Sequence, residues 1–381
     1  MPSPTLSHPL PLAVIAIRQI AKSTGASRNA FEQAAALKEL GYRVVILAER
    51  GKPALTKQTG AEFIRLRRWP FKGPFRRFWF NRRVQSWCKR HRPALLVSHG
   101  DAESRDVIYM HNCVHLASQR IHGKALPKGH EVAAIHDHVL SQGRFQRIAV
   151  NSRMMADDFK RRYGLADHQL EVSYPGYDPV QFTPIKARAE RDTFRETLGV
   201  GQHEFLIGLI TSGNFKKRNV AGFVEIAGLL SQRLPNQCRF LVIGKDDATP
   251  YRQQAEKLGI SDRFIWHSTV SDVEHFYGAL DVFTLPAHIE EFGRVALEAM
   301  ACGTPVLLST WVGAAELIEK EFPDLILENN SNAWALRIAE LLANDEQEEL
   351  GPRLAELATH YSHQEQYKKL KASFQSLADG S

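Results

Sequence analysis

The sequence predicts an α/β protein of two doubly wound domains, and three observations predict it. The chain has 381 residues, too many for one ordinary core and suited to two domains of roughly 150 to 200 residues each. Short apolar, β-branched runs alternate with helix-period segments along its length, which implies parallel strands joined by right-handed crossovers. A Pro-bearing, then charged stretch, DPVQFTPIKARAERD (178–192), splits this alternation into two blocks and reads as a linker.

In the first block, strands are expected at LAVIAI (12–17), RVVILA (43–48), ALLVS (94–98), DVIYMH (106–111), RIAVNS (147–152) and LEVSYPG (170–176). In the second they fall at FLIGLIT (205–211), RFLVIG (239–244), RFIWHS (263–268), DVFTLP (281–286), TPVLLS (304–309) and LILE (325–328). Helical periodicity fills the gaps, for example VAGFVEIAGLLSQRL (220–234) and AWALRIAELLAND (333–345). The expected domains are 1–180 and 181–355, each Rossmann-like, with a cleft at the carboxyl ends of the strands. The amphipathic QEQYKKLKASFQSL (364–377) makes 356–381 a terminal helix that docks back on the first domain.

Hydrophobic residues make up 44% and charged residues 24%, the balance of a globular chain. Four cysteines, with no CxxC pair, read as free thiols in a reducing compartment. No apolar run approaches the roughly 18 to 20 residues that a membrane helix needs. LPLAVIAI lacks a basic region before it and a cleavage site after it, so it reads as a first strand and not as a signal peptide. A cytoplasmic protein is the expectation. The net charge of +7 is uneven: residues 1–100 hold 19 Lys and Arg against 4 Asp and Glu. One half therefore faces an anionic surface or a different partner.

The stretch HIEEFGRVALEAMACGTPV (288–306) carries the chemistry. Glu290 falls in a loop after a strand, and Glu298 lies about one turn into the helix opened by Arg294. The junction offers free backbone N–H groups and a positive dipole end, which suit phosphate or a sugar oxygen. The two flanking carboxylates suit vicinal hydroxyls instead. A ligand with central phosphates and a polyhydroxyl ring at each end, a nucleotide sugar, satisfies both. The plain reading of the same residues is a helix N-terminus with acidic residues favoured by the dipole.

EEFGRVALEAMACGTPV resembles the signature of the group 1 (family 4) retaining glycosyltransferases, which have the GT-B fold of two Rossmann-like domains facing across a cleft. The resemblance implies that Glu290 contacts the donor sugar and Glu298 the ribose hydroxyls. Amides near Phe292, Gly293 and Arg294 would bind the sugar and diphosphate. SYPGYDPVQFTP (173–184) resembles the family's interdomain segment, with Pro175 in place of an asparagine. SGNFKKRNV (212–220) resembles its diphosphate loop, with Gly213 at the usual arginine and Asn219 at the usual glycine. Lys217 and Arg218 are then the diphosphate cations, with Lys216 beside them, an arrangement similar to lipopolysaccharide core α-glycosyltransferases. STGASRNAF (23–31) resembles the glycine-bearing first loop, so Gly25 would approach the phosphates; a helix start capped by Ser27 explains it nearly as well. His111, or its neighbour Asn112, would meet the donor's 6-hydroxyl or the acceptor, with His99 as the competing histidine.

The chain has no D-x-D sequence, so Lys217, Arg218 and helix N-termini are expected to neutralise the leaving diphosphate without a metal. Six histidines crowd 111–138 at spacings that suit zinc, yet nothing completes a site, and they read better as a polar acceptor loop. No cofactor is expected, and the expected donor is a UDP-sugar. Retaining glycosidases use a carboxylate nucleophile; the resemblance implies front-face attack instead, with Glu290 a positioning residue.

RLRRWPFKGPFRRFWFNRRVQSWCKRHRP (65–93) holds 11 Lys and Arg, no acid and seven Trp or Phe. Nucleic acid would use such a mixture, and a solvated helix face is the plain reading. An anionic membrane surface fits best, with basic residues at headgroups and aromatics in the interface. The expectation is thus a membrane-associated transferase of a hexose to a glycolipid or glycan acceptor of envelope synthesis. A nucleotide-sugar epimerase and a catalytically silent binding module are the alternatives, the latter favoured by Gly213.

Overall fold

In the computed structural model, residues 10–20, 25–52, 54 and 59–379 are described. Ser23 and Thr24 of the STGASRNAF loop lie outside them. The first half runs β1 (Leu12–Ala16), α1 (Gly25–Glu39), β2 (Arg43–Ala48), β3 (Glu62–Arg65), α2 (Phe75–His91), β4 (Leu95–Ser98) and β5 (Val107–Met110). It continues through α3 (Val114–His122), α4 (Glu131–Ser141), β6 (Arg147–Val150), α5 (Arg153–Tyr163) and β7 (Leu170–Val172). Its strands form one parallel sheet in the order β3-β2-β1-β4-β5-β6-β7. The pleat divides β1 between two cores: Ala13 and Ile15 face one side, Val14 and Ala16 the other.

After the short helices α6 (Pro184–Arg188) and α7 (Arg191–Thr197), the second half opens with β8 (Phe205–Ile210), α8 (Val220–Arg233) and β9 (Cys238–Ile243). Next come α9 (Thr249–Lys257), β10 (Phe264–His267), α10 (Val273–Ala279), β11 (Val282–Leu285), α11 (Arg294–Ala301), β12 (Val306–Ser309) and α12 (Ala315–Ile318). The chain ends through β13 (Ile326–Leu327), α13 (Ser331–Ala343), α14 (Glu346–Thr359) and α15 (His363–Asp379). The second sheet is also parallel, in the order β10-β9-β8-β11-β12-β13. Its core is continuous and includes the fully buried Phe223, Phe240, Phe283 and Trp334. Both sheets reverse direction of growth at one point, β1/β4 in the first and β8/β11 in the second, and such points open a crevice at the carboxyl ends of the strands.

All twelve strand segments expected from sequence contain a strand. The exception is an addition, β3, which lies at the sheet edge with both its faces partly open, so it lacks an apolar signature. The expected linker also differs. Residues 178–192 are folded onto the second core: Phe182 and Ala187 are buried in it. Arg191 and Arg195 grip the Asp281 carboxylate at 2.5 and 3.0 Å, fastening α7 to β11. Proline there starts α6 at its first turn, capped by Thr183, and does not break order.

The crossing back is made by α15. Leu370, Phe374 and Leu377 pack into the first core against Ala13, Ile15 and Leu37. The entry to α15 is pinned beside the crossover: Tyr177 N–H donates to Tyr361 O at 3.3 Å, and His363 N–H donates to Tyr177 O at 2.9 Å.

Candidate active site

Two loops leave the carboxyl ends of β8 and β11, the switch-point pair. The loop after β8 is built on side-chain acceptors: Asp246 takes the Phe215 N–H at 3.0 Å and Asn214 takes the Lys217 N–H at 3.2 Å. Asn219 ends it in the left-handed region, at φ 56°, and caps α8 by accepting from Gly222 N–H at 3.1 Å. Asparagine tolerates that conformation better than most residues, which explains why it stands where the family has glycine. His288 N–H donates to Lys217 O at 3.0 Å and ties this loop to the next.

The loop after β11 carries Glu290 on a short bridge. Its N–H donates to Trp311 O at 2.8 Å, and its carbonyl accepts from Gly313 N–H at 3.0 Å. A Cβ at Gly313 would sit 2.5 Å from Glu291 O, so only glycine permits this approach. Gly293 then turns into α11 at φ +89°.

The side chains of the two loops interlock. Lys217 Nζ pairs with Glu291, and Arg218 Nη2 lies 2.6 Å from Glu290 Oε2. Glu290 Oε2 is buried and makes no hydrogen bond besides this ion pair. Burial raises the Glu290 carboxyl above its ordinary range, against the pull of Arg218 and Lys217. Glu298 lies one turn into α11, where Tyr277 Oη–H donates to it at 3.2 Å. Burial pushes its pKa up to about 7, opposed by Arg294. At Gly213, a Cβ would meet Asp246 Oδ1 at 2.7 Å and Lys245 Cε at 3.0 Å, so side chains of the β9–α9 loop fill the space a side chain would take.

The first domain supplies the facing wall. A cavity of about 390 Å³ joins Gly25, His111 and Asn112 to Lys217, Arg218 and Glu290. Phe292, Gly293 and Arg294 line it too. Arg294 Nη2 donates across to Asn29 Oδ1 of α1 at 3.4 Å. Glu298 and His99 are not on its walls, and Lys216 is exposed to solvent. Ser27 is a fully buried residue within α1 and not its cap.

His111 and His99 are not alternatives, because they form one unit. His99 Nδ1 lies 2.9 Å from His111 Nε2, and His99 Nε2 lies 2.9 Å from Gln33 Oε1. With the Gln33 oxygen accepting, His99 donates from Nε2, accepts at Nδ1, and receives the His111 Nε2–H. This leaves His111 Nδ1 as an acceptor. Burial, with Arg294 and His136 nearby, lowers the His111 pKa to about 4, and burial drops His99 well below its ordinary value. Both are neutral at pH 7.

The remaining histidines do not gather. His115 meets Asp137 at 2.8 Å, His138 meets Glu103 at 2.9 Å, and His130 caps α4. Among the described residues no group of three metal-ligating side chains occurs. Four polar lining residues were not predicted from the sequence: Glu291, Asn29, Asn151 and Asn214. Glu291 was signalled by its place beside Glu290; the asparagines are single polar residues without a pattern.

The 65–93 stretch folds mainly as α2. Its aromatics do not all face water: Phe80 is fully buried, and Trp87 stacks on His91 at 4.0 Å. The half-buried Trp69 gathers Phe71, Phe75 and Trp79 at 6.0, 4.7 and 5.4 Å, and the two phenylalanines are exposed. Phe71 and Phe75 are 68% and 54% exposed. Arg67, Lys72, Arg82 and Arg83 are exposed in the same stretch. Among the described residues no helix is long and apolar enough to cross a membrane.

Two Rossmann-like sheets that face each other across a cavity lined by cations and carboxylates define the GT-B architecture. Residues 191–356 match the family model described as glycosyl transferases group 1, and residues 23–181 match that of glycosyltransferase family 4. The second half of the chain thus matches the group 1 glycosyltransferases and the first half glycosyltransferase family 4. A relative, D-inositol 3-phosphate glycosyltransferase of Salinispora arenicola, is 29% identical over 51% of this chain and 47% of its own. Lipopolysaccharide glucosyltransferase WaaG of Escherichia coli is 26% identical over 49% of this chain and 50% of its own. The chain thus spans about half the length of the curated relatives it matches. Among solved structures, WaaG superposes with a TM-score of 0.75 at 20% identity, covering 97% of this chain and 100% of that one. Anabaena Alr3699/HepE in complex with UDP and glucose gives 0.73 at 17% identity, covering 96% and 100%.

Proposed function

We propose that the protein is a retaining, metal-independent hexosyltransferase that takes a UDP-sugar and glycosylates a membrane-associated glycolipid or glycan of envelope synthesis. One observation carries the reading. Glu290 Oε2 is buried without a hydrogen-bond donor in a cavity that also presents Lys217, Arg218 and the N-terminus of α11. Ion-paired to Arg218 at 2.6 Å, that oxygen has lone-pair capacity left to accept from a donor's hydroxyl. A nucleotide sugar brings hydroxyls to Glu290 and its diphosphate to Lys217 and Arg218, exchanging internal ion pairs for substrate contacts. Alr3699/HepE holds UDP and glucose in its crystal structure, and WaaG is a lipopolysaccharide glucosyltransferase.

In the proposed step, the acceptor oxygen bonds to the anomeric carbon on the face that the leaving group departs. The bond from that carbon to the β-phosphate oxygen breaks, and its electron pair goes to the diphosphate. The acceptor proton passes to that same phosphate oxygen. Lys217, Arg218 and the α11 amides stabilise the growing charge, Glu290 orients the ring, and His111 Nδ1 accepts from a sugar hydroxyl. Glu298 takes the ribose hydroxyls.

A silent binding module is the second reading, and the glycine at 213 favours it. Lys217 and Arg218, both on the cavity wall, are the cations that answer it. Thermal shift against UDP, GDP, ADP, CMP and their sugars, with and without EDTA, separates the two readings. A shift for uridine ligands that EDTA leaves unchanged and Glu298→Ala weakens is expected. No shift for any nucleotide with folded protein overturns the transferase reading.

The exposed Phe71 and Phe75 beside the half-buried Trp69, with their basic neighbours, support peripheral attachment to an anionic leaflet. Brominated-lipid quenching of tryptophan fluorescence tests this, and unquenched emission on anionic vesicles would sink it.

A further inference from the structure

A second cavity, of about 420 Å³, opens beside the first and shares Ala26, His111 and Asn112 with it. Its walls are unlike those of the donor cavity. Arg18, Arg50, Arg68, Arg76 and Arg77 line it, against the carboxylates of Glu49 and Asp101. Glu131 stands behind, 2.6 Å from Arg76, 3.3 Å from Arg77 and 3.7 Å from Arg18. Five guanidinium groups thus meet three carboxylates, and His99 and His111 add no negative charge.

Several of these groups are incompletely used. Arg68 Nε and Arg76 Nε are buried without hydrogen-bond partners. The nearest carboxylate to Arg68, Glu49, is at 4.0 Å, beyond hydrogen-bonding reach. Glu49 Oε1 is likewise unpartnered, although Arg18 holds the other oxygen at 3.0 Å. A site with spare guanidinium donors and one spare carboxylate oxygen matches a ligand bearing both an anion and hydroxyls. Planar guanidinium forks favour phosphoryl or carboxylate groups over neutral ones.

Resting on the donor assignment above, we propose that the acceptor sugar carries its own anionic group, a phosphomonoester or carboxylate. Arg68 and Arg76 bind that group while the attacking hydroxyl reaches the shared edge at His111 and Asn112. The arginines therefore select the acceptor by its charge, and they orient it through a contact away from the bond being made. Phe75 precedes Arg76 in α2, so the aromatic surface patch adjoins this cavity in sequence and in space.

The test titrates the full chain with glucose 6-phosphate and with glucose, with and without saturating UDP, by isothermal calorimetry. Glucose 6-phosphate is expected to bind about tenfold or more tightly than glucose, the scale of one charge-assisted contact. Arg68→Gln should weaken it about tenfold, and Arg50→Gln, at the exposed rim, a few-fold. Arg90→Gln, on the far end of α2, should leave it unchanged. Arg50→Gln keeps the test readable if Arg68→Gln fails to fold. Equal binding of the two sugars, or equal weakening by Arg90→Gln, overturns the proposal. Phosphatidylglycerol vesicles form a further arm: if Arg68→Gln abolishes vesicle binding while glucose 6-phosphate does not bind, the anion is a lipid headgroup and the proposal falls. Failure of UDP to bind overturns the donor reading separately, because the sugar comparison is also read without UDP.

Discussion

At the residue scale, the site trades stability for recognition. Glu298 is held in surroundings that favour its neutral form, with a pKa raised from 4.5 to about 7. A raised carboxylate pKa means the folded state binds the proton more tightly than the unfolded one, so stability is lost as pH rises from about 4.5 through 7. The shift corresponds to roughly 3 kcal/mol at full effect. Glu298→Gln is therefore expected to raise the melting temperature at pH 8 and to change it little at pH 4.5, while lowering donor affinity. Parallel thermal melts and UDP titrations at both pH values check this; a variant less stable at pH 8 would contradict it. Gly313→Ala should act oppositely. Its Cβ collides with Glu291 O, so it should displace the Glu290 loop and reduce turnover by more than it reduces secondary structure. Comparing sugar-transfer rate with circular dichroism separates the two effects.

At the element scale, Asn219 combines two jobs: a left-handed turn and the cap of α8. Asn219→Ala loses both and is expected to cost about 2 kcal/mol, whereas Asn219→Gly keeps the turn and should cost only a few tenths. Urea unfolding of the pair measures the difference. Elements of this kind show what was readable beforehand. Strands buried on both faces announce themselves as apolar runs, and the EEFGRVALEAMACGTPV loop and helix could be placed from the strand that precedes them. Edge strand β3 has no such run, because only Phe63 and Ile64, one on each face, pack on the cores between the exposed Glu62 and Arg65. Within the site, the charged loops were legible, since chemistry needs their residue types at fixed spacing. The His99–His111 pairing was not, because it depends on the register of β4 beside β5 across residues 12 apart. The arginine cavity was hidden for the same reason: its arginines come from four separate segments, and in sequence three of them look like part of a surface charge run.

At the scale of the whole molecule, the two halves are held by more than the crossover. Glu316 of α12 accepts from Arg153 and Met154 N–H at the start of α5, at 2.8 and 2.9 Å, and from Tyr174 Oη–H at 2.9 Å. A carboxylate at a helix N-terminus is favoured by the dipole and by its free N–H groups. Glu316→Ala should loosen the approach of the domains and raise the KM for donor more than it lowers kcat. Steady-state kinetics and small-angle scattering of the variant read this out, and an unchanged KM would count against a positioning role. Phe374→Ala, in α15, opens a void in the first core and should cost about 3–5 kcal/mol.

The place of α15 also bears on synthesis. A ribosome releases the first 180 residues long before it reaches Phe374, yet that side chain belongs to the core those residues build. The amino-terminal sheet therefore emerges with an apolar face uncovered, and it stays so until almost the whole chain is made. The second half, whose core is drawn from residues 177–358, closes first. Nascent chains stalled before residue 363 should accordingly bind chaperones through their earliest strands, and release should follow translation of the final helix.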